Sequence, residues 1–558
     1  MPAGRHHKPA ILRHLPGLVL LAVAAVFFAL HFLHLTADFP NSSPWMDWAK
    51  YTDEGWYGDA AIRHYLTGHW YWSGDFNPAV ALPVWPAIEL VIFKFTGVSP
   101  VAARALTLCV FALTLAAFYI LLQRAARILS PNSTPLAGPL CVLFLCLSPY
   151  IYAFERMAIL EPLLIALTAL ALIAAQHLEP LSVSFFRSSP RRKTVRAVAC
   201  TLALGILIPG IVLTKTTGLF LMPAIFYMVW ARAGYSAPRY LRTALPPAAL
   251  GLALWVVYFV GFVRPHYLED YRYLFSANAY TGLELQPLAT VVLNSIHDGL
   301  WMGHVLYPAF FVVLALALFW RPRLFTQPLF PALLLWIGGY FAFLVYHNNL
   351  QPRYYLVIAV PITAAVALGL DNFRSASGPA ESARGRLATT ITSILVAAVT
   401  LAIIIPDALL QLDFVRHPTF QFEAAAQSVK RIVDADPNHS HLILSISGSD
   451  ISLMTGLHSI DDDFGTLNLD ERVAKYHPGW YIAWNELDDD KAADITPLYN
   501  PVRVAAFPAL DDPDRNLLIV YRLDPKQPTR EVAPHKRHIP KPLQTKLGQQ
   551  PATTQLQH

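Results

Sequence analysis

The stretch AKYTDEGWYGDAAIRHYLTGHW, residues 49–70, sets Asp53, Glu54 and Asp59 among tryptophans and tyrosines, Tyr57 included. A carboxylate there can take the proton from an incoming hydroxyl or amine. The plainer reading makes Asp53 and Glu54 the first turn of a helix, where the macrodipole favours negative charge, and the aromatics, Trp45, Trp48, Trp56, Trp70 and Trp72 among them, an interfacial belt. Further along, single charges border apolar runs: Glu155, Arg156 and Glu161 in LSPYIYAFERMAILEP, Lys215 in LTKTTG and Arg353 in QPRYYL. Fixed cations of this kind can stabilise the negative charge gathered by a departing phosphate. Their plainer readings are a lysine that snorkels to an interface and an arginine paired with a carboxylate. Glu161, just ahead of Pro162, also suits the N-terminus of a helix.

The elements that must position these residues are membrane helices. Of 558 residues, 55% are hydrophobic and only 14% charged, against about a quarter charged in soluble proteins. The net charge of +5 marks no global nucleic-acid surface, and no nucleotide-phosphate loop occurs. Cys109, Cys141, Cys146 and Cys200 all lie in apolar runs and read as small buried hydrophobes. Apolar segments of spanning length fall near 15–34, 101–122, 136–152, 159–176, 197–213, 218–231, 243–263, 302–320, 328–346, 354–370 and 388–411. The first follows a basic start and reads as an uncleaved signal anchor. The segment at 79–97 holds Pro83, Pro86, Glu89 and Lys94 and is expected to lie along the outer surface. With that choice the positive-inside rule puts RSSPRRKTVR and the other basic loops in the cytoplasm. The expectation is eleven crossings, a cytoplasmic N-terminus, and an external face carrying Asp53, Glu54, Asp59, Glu155, Arg156, Glu161, Lys215 and Arg353. Ionisable groups at membrane depth are expensive and usually functional.

Taken in order, TDEGWYGDAAIRHYLTGHW with the segment ending FKFTGVSPVAARAL, then FERMAILEPLLIALTALAL, LTKTTGLFLMPA and QPRYYLVIAVPITAAVALGL resemble the GT-C polyprenyl-phosphate-sugar glycosyltransferases. That family includes the protein O-mannosyltransferases and the aminoarabinose transferases of lipid A. The resemblance covers residues 13 to 410. It implies an all-α polytopic membrane domain over 1–412, with its first external loop at 35–100, and transfer of a sugar with inversion from a polyprenyl phosphate to a lipid, protein or cell-envelope glycan. It implies Asp53 as the base that activates the acceptor, Glu54 as its support, and Glu161 as a second acidic site that orients substrate or binds a metal. Lys215 and Arg353, with Arg156 competing, are implied for the donor phosphate, and Asp59 and Tyr57 join the substrate-binding set. Where the family often has a Lys-Pro-Pro-Leu turn near that phosphate, FNPAVALPVWP here has no lysine, so another cation does the work or the donor is held differently. No cofactor is required, and the involvement of a divalent metal stays open.

Beyond residue 412 the composition changes. FQFEAAAQSVKRIVDADP reads as an amphipathic helix, and HLILSIS, GWYIAW, VRVAAF and NLLIVYRL as short strands between turns. A small α/β domain at 413–525, exported on this topology, is therefore expected, followed by a disordered basic tail at 526–558. The acidic run Asp461–Asp463 reads as a solvated turn, and SGSD at 447–450 is too short for a phosphate loop. Rival readings are a transporter or flippase, which would place charge pairs at the bilayer midplane in repeated halves, and a non-catalytic scaffold of the same fold.

Overall fold

The computed structural model describes residues 10–39, 47–131, 133–181, 189–277, 287–347, 351–375 and 383–526. Trp45 and the tail from 527 lie outside the described residues. Among these, six helices are long and apolar enough to cross a bilayer, including Pro100–Leu129, Arg191–Thr214, Ala237–His266, Leu329–His347 and Pro352–Ser375. The sixth crosses within the long helix Ala383–Arg416. Leu288–Met302 and Leu306–Phe319, bent by 112°, make a seventh if taken as one span. His14–Leu30, Ala137–Leu147 and Leu160–Ala175 are apolar but shorter. Every expected crossing thus has a helical counterpart, but length and composition alone carry six or seven of the eleven.

The shortfall has local causes. The expected helix at 136–152 breaks at Ser148, whose hydroxyl accepts the Ile151 N–H at 3.3 Å, and Pro149 opens a new helix. The expected helix at 218–231 begins as a 3-10 turn, Thr216–Leu221, and only then becomes the 11-residue helix Met222–Arg232. At about 1.5 Å per residue that helix alone is too short to span. Lys215, extended at φ −155°, ends the preceding helix and sets up this turn.

The labels used below are α1 (Ala10–Leu30), α2 (Asp53–Thr67), α3 (Val84–Thr96), α4 (Pro100–Leu129), α5 (Ala137–Leu147), α6 (Pro149–Phe154) and α7 (Leu160–Ala175). The 13 residues of α3 reach about 20 Å, less than the roughly 30 Å apolar core. It buries Trp85, Glu89, Leu90 and Phe93 and exposes Val91 and Phe95. The main apolar core joins α4, α5, α7, Leu329–His347 and Leu356–Ser375, and the last of these is buried along most of its length.

After the amphipathic helix Gln421–Ala435 the chain forms a sheet of β1 (Ile443–Leu444), β2 (Ser459–Ile460), β3 (Trp480–Trp484), β4 (Tyr499–Pro508) and β5 (Leu517–Pro525). Its order is β2-β1-β3-β5-β4. β1 runs parallel to β2 and β3, and β5 pairs antiparallel with β3 and β4. β2, two residues inside LHSI, is too short to show in sequence.

This unit and the loop before α2 fold into one another. Tyr51 belongs to the core of the C-terminal unit, its ring 5.8 Å from that of Trp484. Lys50 pairs with Asp512 at 3.2 Å, and Trp56 Nε1 donates to the Ile446 carbonyl at 3.0 Å.

Candidate functional site

Asp53 opens α2 and is 2% exposed. Its Oδ2 lies 2.9 Å from Nε of Arg353, and its Oδ1 accepts from the Thr52 hydroxyl at 3.1 Å. Arg353 sits in the 3-10 turn Pro352–Tyr355, where the proline and the following apolar helix fix its backbone. A second acid holds the same guanidinium: Asp47 pairs with Nη1 and also accepts the Arg353 backbone N–H at 2.8 Å. Asp47 is itself fixed as the N-cap of the turn Trp48–Lys50, accepting from the Ala49 N–H at 2.8 Å.

Glu161 lies in the first turn of α7, fully buried, and pairs through Oε1 with Lys215. The ring of Tyr354 ties the two pairs together. Lys215 Nζ stands 4.5 Å from its centroid and the Arg353 guanidinium 4.7 Å, both within cation–π range. Glu161 Oε2 has no hydrogen-bond partner among the described residues, and neither oxygen of the fully buried Glu155 has one. Tyr57, next along α2, lies in the electrostatic field of Asp53, Arg353 and Glu161. Burial pushes the Asp53 carboxyl above the usual carboxylate range, and Arg353 pulls it part of the way back. Such a group is a stronger base than an exposed aspartate.

Asp53, Glu161, Lys215, Arg353 and Tyr57 thus share one centre, whereas the other expected site residues serve elsewhere. Glu54 takes the Arg104 guanidinium with both oxygens, Nε at 2.8 Å, and accepts the Ala158 N–H at 2.9 Å. Arg104 continues to the carbonyls of Leu35 and Ala37 at 2.8 and 2.6 Å. Glu54 therefore ties α2 to α4 and to the loop before α7. Arg156 stacks on Tyr152 at 4.5 Å and donates to the carbonyls of Leu33 and His34 at 2.6 and 2.7 Å, satisfying the chain that leaves α1. Asp59 faces away from Asp53 on α2, held by Arg63 at 2.7 Å and Ser449 at 2.8 Å.

Sequence reading missed Asp47, Arg104 and Tyr354. Asp47 has a short-range signal, an acid at a turn's N-cap; its pairing with a residue 306 positions on has none. Among the described residues, no group of three or more His, Cys, Asp or Glu side chains is arranged to hold a metal ion, Glu161 and its neighbours included.

A cavity of about 330 Å³ opens between the bundle and the C-terminal unit, lined in part by Asp38, Tyr152, Arg156, Phe414, His417 and Asn516. Asp53, Glu161, Lys215 and Arg353 do not line it; their ion pairs are closed on one another, each residue 8% exposed or less.

No sequence-family model matches the chain, and no curated protein matches its sequence. Its structure does have relatives. ArnT from Cupriavidus metallidurans bound to undecaprenyl phosphate superimposes with a TM-score of 0.54 at 14% identity, over 91% of this chain and 98% of that one. Its apo state gives 0.52 at 13%, over 90% and 97%. The archaeal oligosaccharyltransferase AglB from Archaeoglobus fulgidus, in complex with an inhibitory peptide and a dolichol-phosphate, gives 0.51 at 12%, over 85% and 70%. The chain has the GT-C fold expected from the order of its motifs. At such identities the likeness speaks for the fold alone.

Proposed function

We propose that this chain is a membrane glycosyltransferase that moves a sugar from a polyprenyl-phosphate donor to an acceptor outside the cytoplasm, with inversion, Asp53 acting as general base. The observation that carries the reading is the buried double ion pair, Asp53–Arg353 and Glu161–Lys215, joined across Tyr354. It supplies a base of raised affinity for protons beside two fixed cations. ArnT bound to undecaprenyl phosphate and AglB with dolichol-phosphate share the fold, which favours a lipid-phosphate donor here too.

In this reading Asp53 takes the proton from the acceptor hydroxyl or amine as the acceptor attacks the anomeric carbon. The bond from that carbon to the phosphate oxygen breaks, and polyprenyl phosphate leaves with the electron pair. Lys215 and Arg353 exchange a carboxylate for the phosphate and stabilise its growing charge. Glu161, released from Lys215, is free to orient substrate. Arg156 and Asp59 give the transferase its shape rather than its chemistry. The N-terminus lies in the cytoplasm and the C-terminal α/β unit at 413–525 outside it, over the opening.

The test supplies membranes containing the protein with undecaprenyl-phosphate-linked sugars and follows the lipid product by mass spectrometry. Release of undecaprenyl monophosphate in step with glycosylation of an envelope acceptor is the expected result. Transfer only when an undecaprenyl-diphosphate-linked sugar is supplied in its place, with lipid diphosphate released, would move the chain to the oligosaccharide ligases. Intact donor appearing in the other leaflet, with no transfer, would make it a flippase.

A further inference from the structure

Arg353 carries two carboxylates, and they hold it differently. Asp47 accepts the Arg353 backbone N–H through Oδ2 at 2.8 Å and pairs with Nη1 through Oδ1. A third donor, the Ala49 N–H, fixes Asp47 itself at 2.8 Å. Asp53 meets the same guanidinium by a single approach, Oδ2 to Nε at 2.9 Å. That approach is not aligned as a hydrogen bond, for neither Oδ2 nor Nε has a hydrogen-bond partner among the described residues. The other oxygen of Asp53 accepts from the neighbouring Thr52 hydroxyl at 3.1 Å.

The frame around Asp47 is pinned on both sides. On the Arg353 side, the Trp48 N–H donates to Gln351 Oε1 at 3.3 Å, and the Tyr150 hydroxyl donates to the Pro352 carbonyl. On the other side, Lys50 pairs with Asp512 at 3.2 Å, and Tyr51 packs into the core of the C-terminal unit. Asp47 is buried, so moving it would strand three donors without water to replace it. Moving Asp53 breaks one misaligned ion pair. Asp53 is the easier of the two to displace.

We propose that Asp47 is a positioning residue for the transfer reaction: it keeps Arg353 in place as a fixed cation, so that Asp53 is the carboxylate Arg353 gives up when the donor phosphate arrives. The exchange that brings phosphate to Arg353 then also frees the base. This rests on the reading of Asp53 as base and of Arg353 as a cation for the phosphate.

The test compares Asp47→Asn and Asp47→Ala with wild type, as full-length protein in lipid nanodiscs. Undecaprenyl-phosphate-linked sugar is the donor, a membrane extract supplies the acceptor, and released undecaprenyl phosphate is counted per folded molecule. Without the Asp47 charge, Asp53 is the one carboxylate left on Arg353 and closes on it. We expect kcat to fall on the order of 10- to 100-fold, as a small loss of reacting geometry does. The pH profile separates this from a role in folding. Burial raises the Asp53 carboxyl most; Arg353 opposes it, Asp47 and Glu161 add to it, and Lys215 opposes it. Tyr51, Tyr57, Tyr354 and Asp450 also lie in the electrostatic field of Asp53. Removing the Asp47 charge should therefore move the acid limb of kcat/KM to lower pH, by about half a unit or more. A role confined to folding lowers the yield of folded protein and leaves the limb in place.

Unchanged kcat per folded molecule, or a fall with the limb unmoved, overturns the proposal. Should neither variant fold, binding of undecaprenyl phosphate to Asp53→Asn decides. Affinity equal to or above that of wild type sustains Asp53 as the carboxylate displaced, and weaker binding overturns it. If wild type binds undecaprenyl phosphate but transfers no sugar, the reading of Asp53 as base falls, and the same binding comparison still judges which carboxylate gives way.

Discussion

Two buried charge clusters hang on the same helix, and they are built to different rules. Further along α2 from Asp53, Asp59 and Asp75 face Arg63, and Asp75 also meets Arg472. Every carboxylate oxygen there is engaged: Asp59 with Arg63 and Ser449, Asp75 with Arg63, Arg472 and the Asp461 N–H at 3.0 Å. The acids and bases balance, and the cluster bolts α2 to the C-terminal unit. Around Asp53 the acids outnumber the bases. Asp47, Asp53 and Glu161 share Arg353 and Lys215, and oxygens of Glu161 and Glu155 find no hydrogen bond among the described residues. A closed, balanced network is what stability selects; an unbalanced one with spare oxygens is the pattern expected where chemistry uses the charges.

Substitutions sharpen the contrast, beginning with the largest effect. Lys215→Met should lower turnover per folded molecule by about 10²–10³, the loss typical of removing one fixed stabiliser of transition-state charge; release of lipid phosphate is the readout. Arg63→Met leaves Asp59 and Asp75 buried without their shared cation, which should cost about 3–5 kcal/mol of stability. Thermal unfolding measures this, while turnover per folded molecule stays as in wild type. Equal activity losses at the two positions would erase the distinction.

Arg353→Gln removes the cation that pulls the Asp53 carboxyl down, leaving burial to push it up. A base works when deprotonated, so the acid limb of the kcat/KM profile should move to higher pH, by about one unit or more. The sign for stability runs the same way. A carboxyl raised in the folded state favours folding at low pH, and that contribution is lost as pH rises through its raised value. The smallest effect is expected for Asp463→Asn. Its carboxyl is 42% exposed and reaches Lys491 only at 3.6 Å, so unfolding should shift by no more than about 0.5 kcal/mol.

Short-range patterns in the sequence made the fold class legible. Apolar run lengths located the helices, and the alternation in GWYIAW and NLLIVYRL located β3 and β5. What escaped depends on distant partners. The break of the expected 218–231 helix follows from how the Lys215 turn packs, and the acidic run 461–463 was read as a solvated turn because nothing nearby pairs with it. In the fold Asp461 and Asp462 are buried, the latter 3.0 Å from Lys491. The buried cluster is legible in its residue types, since Asp53, Glu161, Lys215 and Arg353 stand out in the sequence as charges beside apolar or aromatic runs. Their partners were not. Asp47 and Arg353 lie 306 residues apart, and SGSD, too short for a phosphate loop, packs its backbone against Gly55 of α2. For Arg156 the sequence shows the charge but not the Leu33 and His34 carbonyls to which it donates.

The role of Asp53 is tested most directly by Asp53→Asn, which removes the base while keeping size and hydrogen-bonding oxygen. Under single-turnover conditions, with undecaprenyl-phosphate-linked sugar bound to saturation, the chemical step should slow by about 10²–10⁴ and lose its acid limb, with donor binding intact. Transfer near the wild-type rate, with the limb still present, would contradict the account.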